Sequence, residues 1–217
     1  MAGGFPWRLV TVDIDGTLTR GHGWKEVAVA FDRLPAFEAT NRRFRAREAN
    51  EDEHLTALLN IATGHSVAEV EAVLARTPKL SGIPEGVARL HELGARVALL
   101  THNPEYVADW YRRTFGFDGY ECSKAQAVVD GRIGPAVGVR ADKTGWLLRL
   151  LARWGVPAAA TAHIGDGGSD AEVFALVGGG IALNAGDPDV VRRADLAITT
   201  DDFREVVRRL GSLTPRR

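Results

Sequence analysis

Four aspartates stand where strand-like runs of this 217-residue chain give way to glycine. Asp13 and Asp15 follow the apolar stretch of LVTVDIDGTLT (residues 9–19), and Asp166 and Asp170 close TAHIGDGGSD (residues 161–170). An unpaired carboxylate at the end of a buried strand is costly. Four of them in one crevice would repel one another and raise their own pKa values. A hard divalent cation resolves that conflict, since Mg²⁺ takes carboxylate, water and phosphate oxygens in an octahedron. Thr101, closing RVALLT (residues 96–101), adds a hydroxyl, and Lys143, opening a helical run, adds the positive charge that an anion needs. The glycine after Asp15 allows a tight turn whose N–H groups can hold an anion. Alternation along an extended chain would turn Asp13 and Asp15 to one side, with Ile14 facing the core. A plainer reading exists for each piece: Asp, Gly and Thr are ordinary turn residues, and a lysine is most often solvated.

The elements that must position these residues can be read from the same rows. RLVTVD (8–13), RVALLT (96–101), TAHIGD (161–166), GIALN (180–184) and LAIT (196–199) are near-continuous apolar runs, which suit strands buried on both faces of a parallel sheet. PEGVARLHELG, PEYVADWYRRTFG and DKTGWLLRLLARWG lie between them with helical spacing, and the first two place proline near the start and glycine after the end. The order predicts an α/β fold with a doubly wound, Rossmann-like, mostly parallel sheet. Ligands of such sheets sit beyond the carboxyl ends of the strands, at the switch point. Asp13, Thr101 and Asp166 all fall at those ends.

Between the first strand and the helix beginning near Pro84 lie roughly 60 residues, far more than an ordinary loop. WKEVAVAFDRL, AFEATNRRFRAREAN, EDEHLTALLNIA and SVAEVEAVLAR each read as a helix, with Gly64 as a stop and Ser66 as an N-cap. The expected organisation is a core of residues 1–18 and 83–217 with a small inserted helical cap domain over residues 19–82. YECSKAQAVVDGRIG (120–134) reads as a hairpin turning at Asp130-Gly131, a flap or edge extension on the core. GGG at 178–180 reads as a flexible turn into the fourth strand.

A net charge of −1 gives no overall field for nucleic acid or a membrane surface, and no apolar run is long enough to span a bilayer. One cysteine, Cys122, and no basic-then-apolar leader point to the cytoplasm. GVRADKT puts aspartate where a P-loop needs glycine, and GDGGSD lacks the last glycine of a dinucleotide fingerprint. Neither H-E-x-x-H nor paired C-x-x-C is present, which argues against zinc. His54, His65, His91 and His163 read as structural or exposed, Cys122 as a small buried filler, and Trp110, Tyr111, Trp146 and Trp154 as packing residues.

DIDGT, LLT, Lys143 and GDGGSD, in this order and at these separations, resemble the haloacid dehalogenase superfamily of phosphohydrolases. The helical insertion, the VVDGRIG hairpin and ADK before a long helix are most similar to its phosphoserine phosphatase branch. The resemblance implies that Asp13 is a nucleophile forming an aspartyl-phosphate and that Asp15 is the general acid and base. It implies that Thr101, the backbone N–H of His102 and Lys143 hold the phosphoryl group. Mg²⁺ would be bound by Asp13 and Asp166 through side chains and by Asp15 through its carbonyl, with Asp170 orienting metal-bound water and Lys143. The partner is then a small phosphorylated metabolite, with no nucleic acid and no membrane; oligomeric state is not indicated. The second aspartate separates this chain from the dehalogenases themselves.

The pattern departs from that branch beside the first motif. His22, in TRGHGW, stands where a substrate-binding glutamate is expected, and Leu55 falls where the cap arginine should be. Ser169 replaces an asparagine, and the first motif has threonine where serine is usual. Phosphoserine is therefore not the expected best substrate. His22 and Trp24, directly after the catalytic loop, are candidate pocket residues. Arg45, in a run with Arg42, Arg43 and Arg47, is a candidate for a second anionic group, unless the run is a solvated face balanced by Glu48, Glu51, Asp52 and Glu53. The expected activity is Mg²⁺-dependent phosphomonoester hydrolysis, with a phosphotransferase or mutase as the alternative and an inactive phosphate-binding scaffold as a third.

Overall fold

The structure, a computed structural model, describes residues 4–216. In chain order it comprises β1 (Leu9–Val12), α1 (Gly23–Ala30), α2 (Leu34–Arg45), α3 (Glu51–Leu59), α4 (Val67–Arg76), α5 (Ile83–Glu92), β2 (Arg96–Pro104), α6 (Glu105–Phe115) and β3 (Gly119–Ser123). There follow β4 (Gln126–Val129), β5 (Arg132–Ala136), α7 (Lys143–Trp154), β6 (Thr161–Gly165), α8 (Gly168–Phe174), β7 (Gly179–Leu183), α9 (Pro188–Arg193), β8 (Leu196–Ile198) and α10 (Phe203–Leu210). Six strands form one sheet in the order β3-β2-β1-β6-β7-β8, every pair parallel. Chain order runs outward from β1 in both directions, so the switch point falls beside β1, as the doubly wound reading expects.

The apolar runs are continuous because both faces are covered. Val10, Val12, Val97 and Leu99 belong to the larger core with α5 and α10, while Leu9, Ala98 and Leu100 pack on Trp146, Leu147 and Leu150 of α7. Burying each of these valine and leucine side chains contributes about 1.5–3 kcal/mol. Ser66 does cap α4: its hydroxyl accepts from Glu69 N at 3.2 Å while Glu69 Oε2 accepts from Ser66 N at 2.7 Å, a reciprocal capping box. Among the described residues no helix is long and apolar enough to cross a membrane.

The structure corrects several local expectations. Tyr120, Glu121 and Cys122 are not a hairpin arm but part of β3, parallel to β2 at the edge of the main sheet. The hairpin is β4–β5 alone, and it packs against α3 and the Gly64–His65 turn as well as against Tyr106 of α6, whose hydroxyl donates to Gln126 Oε1 at 3.0 Å. Ile133 N donates to His65 O at 2.9 Å and Gly64 N to Ile133 O at 2.8 Å, while Gln126 Nε2 reaches Leu59 O at 3.0 Å. Residues 178–180 are no flexible turn: Gly179 and Gly180 open β7, and a Cβ on Gly178 would lie 2.2 Å from Ala159 O. Close packing, not freedom, demands those glycines. The arginine run does not share one helix either, because α2 ends at Arg45 and Arg47 has a φ of 58° beyond it.

Candidate active site

β1 stops at Val12, and a compact turn follows in which Leu18 N and Thr19 N both donate to Ile14 O, at 2.9 and 3.0 Å. Asp15 therefore sits in a turn, not on an extended strand, and strand alternation is not what orients it. Ile14 is nevertheless buried, as expected. Gly16, at a φ of 80°, makes the turn possible and also clears space: a Cβ there would lie 2.1 Å from Asp166 Oδ2. Thr17 Oγ1 donates to Asp166 Oδ1 at 2.8 Å, tying the turn to the end of β6.

Carboxylate oxygens of Asp13, Asp166 and Asp170 lie within 4.8 Å of one another. Lys143, the first residue of α7 and only 4% exposed, places its Nζ 3.0 Å from Asp13 and 2.5 Å from Asp170. That position is set by Asp142, whose side chain caps α7 by accepting from Gly145 N at 2.8 Å. Asp170 Oδ1 also faces His163 Nε2 at 2.9 Å, and its Oδ2 accepts from Asp166 N and Gly167 N at 3.1 and 2.9 Å. Both Asp170 oxygens are thus engaged by the protein. Burial alone would raise the Asp170 carboxyl, but Lys143 and His163 hold it well below the usual range.

Asp13 and Asp166 behave in the opposite way. Burial pushes Asp13 up to about 8; Lys143 opposes the shift, and repulsion from Asp170, Asp166 and Asp15 adds to it. Burial and Asp170 push Asp166 up to about 7. Two under-compensated carboxylates with converging oxygens are a donor set for a hard divalent cation, and the residues present fit Mg²⁺ chemistry.

Asp15 has different surroundings. Its Oδ1 accepts from Gly23 N at 2.6 Å and its Oδ2 from Asn103 Nδ2 at 2.9 Å. Asn103 Nδ2 also reaches Thr101 Oγ1 at 2.9 Å, and Asn103 Oδ1 accepts from Trp24 Nε1 at 2.9 Å. One buried amide thereby links the first motif, β2 and α1. Thr101 is itself buried, and a hydroxyl that accepts from Asn103 keeps its own hydrogen to donate. His102, mostly buried, has its ring edge-on to Trp146, and burial together with Lys143 lowers its pKa to about 3.

These groups line one cavity of about 780 Å³. Asp13, Asp15, Thr101, His102, Lys143, Asp166 and Asp170 are all on its wall, as are His22 and Trp24. Arg45 is not: it is exposed on α2 and absent from the lining, because the helix turns Phe44 inward instead. His54, read as structural or exposed, is buried and lines the cavity. Asn103 was the residue of consequence that sequence reasoning left without a role. Its signal was its spacing, two residues after Thr101 at a strand end. The other three histidines keep plain roles, with His163 holding Asp170, His65 stacked on Phe31 and His91 paired with Asp118.

A family model for haloacid dehalogenase-like hydrolases matches residues 7–178 of this chain. The chain belongs to that family. Its likeness within the family is to phosphoserine phosphatases: 29% identity to the one of Streptomyces coelicolor over 95% of this chain and 51% of that protein, and 25% to the one of Saccharomyces cerevisiae over 94% and 67%. The chain thus spans about half to two thirds of the length of these relatives. The solved structure of a substrate-bound phosphoserine phosphatase complex shares the fold at a TM-score of 0.79, with 21% identity over 94% of this chain and 98% of that one.

Proposed function

We propose that this chain is a Mg²⁺-dependent phosphomonoesterase that hydrolyses a small phosphorylated metabolite through an aspartyl-phosphate. The observation that carries the reading is the division of two aspartates one residue apart into different surroundings. Asp13 lies in the carboxylate cluster against Lys143, and Asp15 is held away from it by Gly23 N and Asn103. Unlike environments for neighbouring carboxyls are how one site separates a nucleophile from an acid.

An Asp13 oxygen attacks phosphorus, the ester P–O bond breaks, and the departing alcohol oxygen takes the proton of Asp15. Water then attacks phosphorus, Asp15 accepts its proton, the P–O bond to Asp13 breaks, and inorganic phosphate leaves. Covalent catalysis divides one difficult displacement into two. Lys143, the Thr101 hydroxyl and the His102 N–H neutralise and orient the phosphoryl oxygens. Asp13 and Asp166 are the side chains that would hold Mg²⁺, with the Asp15 carbonyl. Asp170, engaged on both oxygens, positions Lys143. When bound, the ion supplies charge neutralisation between the nucleophile and the phosphoryl group. Helices α1–α4 would cover the site and exclude water. The lone, buried Cys122 supports placing this activity in the cytoplasm.

The test is a screen of phosphorylated metabolites with phosphate-release detection. Phosphate released in step with substrate loss is the expected result. Transfer to a second hydroxyl without phosphate release would replace the hydrolase with a phosphotransferase.

A further inference from the structure

The cavity over Asp13 has two chemically different ends. Its floor carries the aspartates and Lys143, whereas its roof is built from Phe44 of α2 and His54, Leu55 and Leu58 of α3. The Phe44 and His54 rings stack with centroids 4.3 Å apart and planes 14° apart. Phe44 is still 39% exposed and Leu55 half-buried, so apolar surface faces the cavity. Burial and neighbouring His22 lower the pKa of His54.

Among the described residues no lysine or arginine belongs to that roof. Among the described residues the cavity wall carries two lysines or arginines, Lys143 and Arg193. Lys143 is already shared by Asp13 and Asp170, and Arg193, exposed on α9, shares its wall with Glu172 and Asp187. Glu51 of α3 adds a further carboxylate to the lining. A substrate carboxylate entering here would lose water against Leu55, Leu58 and Phe44 with no lysine or arginine beside it to replace that water. A neutral ring or branched apolar group would cover the same side chains and remove their surface from water.

We propose that the site takes phosphomonoesters whose alcohol half is uncharged and carries an aromatic or bulky apolar group, with Phe44, His54, Leu55 and Leu58 determining specificity. The proposal rests on the phosphatase reading of the same site.

Four esters of primary alcohols test it: benzyl phosphate, O-phospho-L-serine, 3-phosphoglycerate and phosphoethanolamine. The expected kcat/KM for benzyl phosphate exceeds that for each of the others by about tenfold or more. Preference for any of the charged esters overturns the inference. Leu55→Arg should narrow the gap to 3-phosphoglycerate by about tenfold, through KM, by supplying a carboxylate partner; unchanged selectivity in that variant also overturns it. Turnover of none of the four defeats the phosphatase reading instead. Pocket preference is then read by calorimetry with Mg²⁺, comparing 2-phenylethylphosphonate with 2-amino-4-phosphonobutanoate on the wild-type chain. Tighter binding of the phenyl compound supports the assigned ligand class. Equal or reversed affinity, or no binding of either, overturns it.

Discussion

The ammonium of Lys143 lies 3.0 Å from a carboxylate oxygen of Asp13, both almost fully buried, at the carboxyl end of the sheet's central strands. The pair joins opposite halves of the sequence across the switch point. Without Lys143, Asp13 would lose its ion-pair partner and Asp170 would keep only His163 and the N–H groups of Asp166 and Gly167. Lys143→Gln should therefore destabilise the metal-free protein by about 3–5 kcal/mol, the usual result of leaving a buried charge unpaired. Denaturant unfolding measures this, and saturating Mg²⁺ should restore part of the loss by mass action.

Asp13→Asn tests the nucleophile. An amide cannot form the acyl phosphate, so turnover should fall by at least about 10³-fold. Intact circular dichroism would show that the fold survives. Retention of more than a few per cent of activity in a steady-state assay would remove Asp13 from that role.

Metal affinity should rise with pH. Asp13 and Asp166 titrate near 8 and 7 in the metal-free site, so a cation binding at lower pH must displace their protons. Apparent Mg²⁺ affinity at about pH 6 is expected to be weaker than at about pH 8.5 by on the order of 10²- to 10³-fold. Calorimetry in buffers of different ionisation enthalpy would detect the released protons. The same shifts set the sign for stability. Both folded-state pKa values lie above the unfolded one, so their contribution to metal-free stability is full below about pH 4 and lost as pH rises through 7 and 8. An affinity independent of pH would contradict the cluster's electrostatics.

Asn103→Ala removes the amide that bonds Asp15, Thr101 and Trp24 at once. Asp15 keeps the bond from Gly23 N to its Oδ1 but loses the one to its Oδ2, so the acid should lose orientation, with kcat falling about 10- to 100-fold. The comparison is with Asn103→Asp, which retains the contact to Trp24 but puts a second carboxylate against Asp15. That variant should be at least as impaired. Wild-type kcat in both would show that the amide is only a packing element.

Arg45→Ala should leave kcat/KM unchanged for every substrate and alter stability by no more than about 0.5 kcal/mol. Arg45 is exposed, and Phe44 takes the cavity-facing position beside it. A large rise in KM would return Arg45 to the substrate site.

Local pattern was enough to reveal much of this protein. The apolar runs at residues 9–12, 96–101 and 161–165 are legible as parallel strands because burial on both faces leaves no polar alternation. Ser66 announces the start of α4 because an N-cap is a contact between near neighbours. Asp13, Thr101 and Asp166 could be assigned to one crevice because a doubly wound sheet gathers its strand ends by topology.

Other features required the chain to be folded. Sequence could not separate β3 from the β4–β5 hairpin, since one β-prone stretch pairs partly with β2 and partly with itself before docking on Gly64 and His65. Strand alternation could not orient Asp15, because the turn after Val12 and the bonds from Gly23 and Asn103 do so. The rotation of α2 about its own axis selects Phe44 over Arg45 for the cavity, and that rotation is fixed by packing against α1 and α3. Residue types and spacings determined which groups could do chemistry at the strand ends. The packing of α2 and α3 over those ends, through contacts between residues distant in sequence, decided what those groups face.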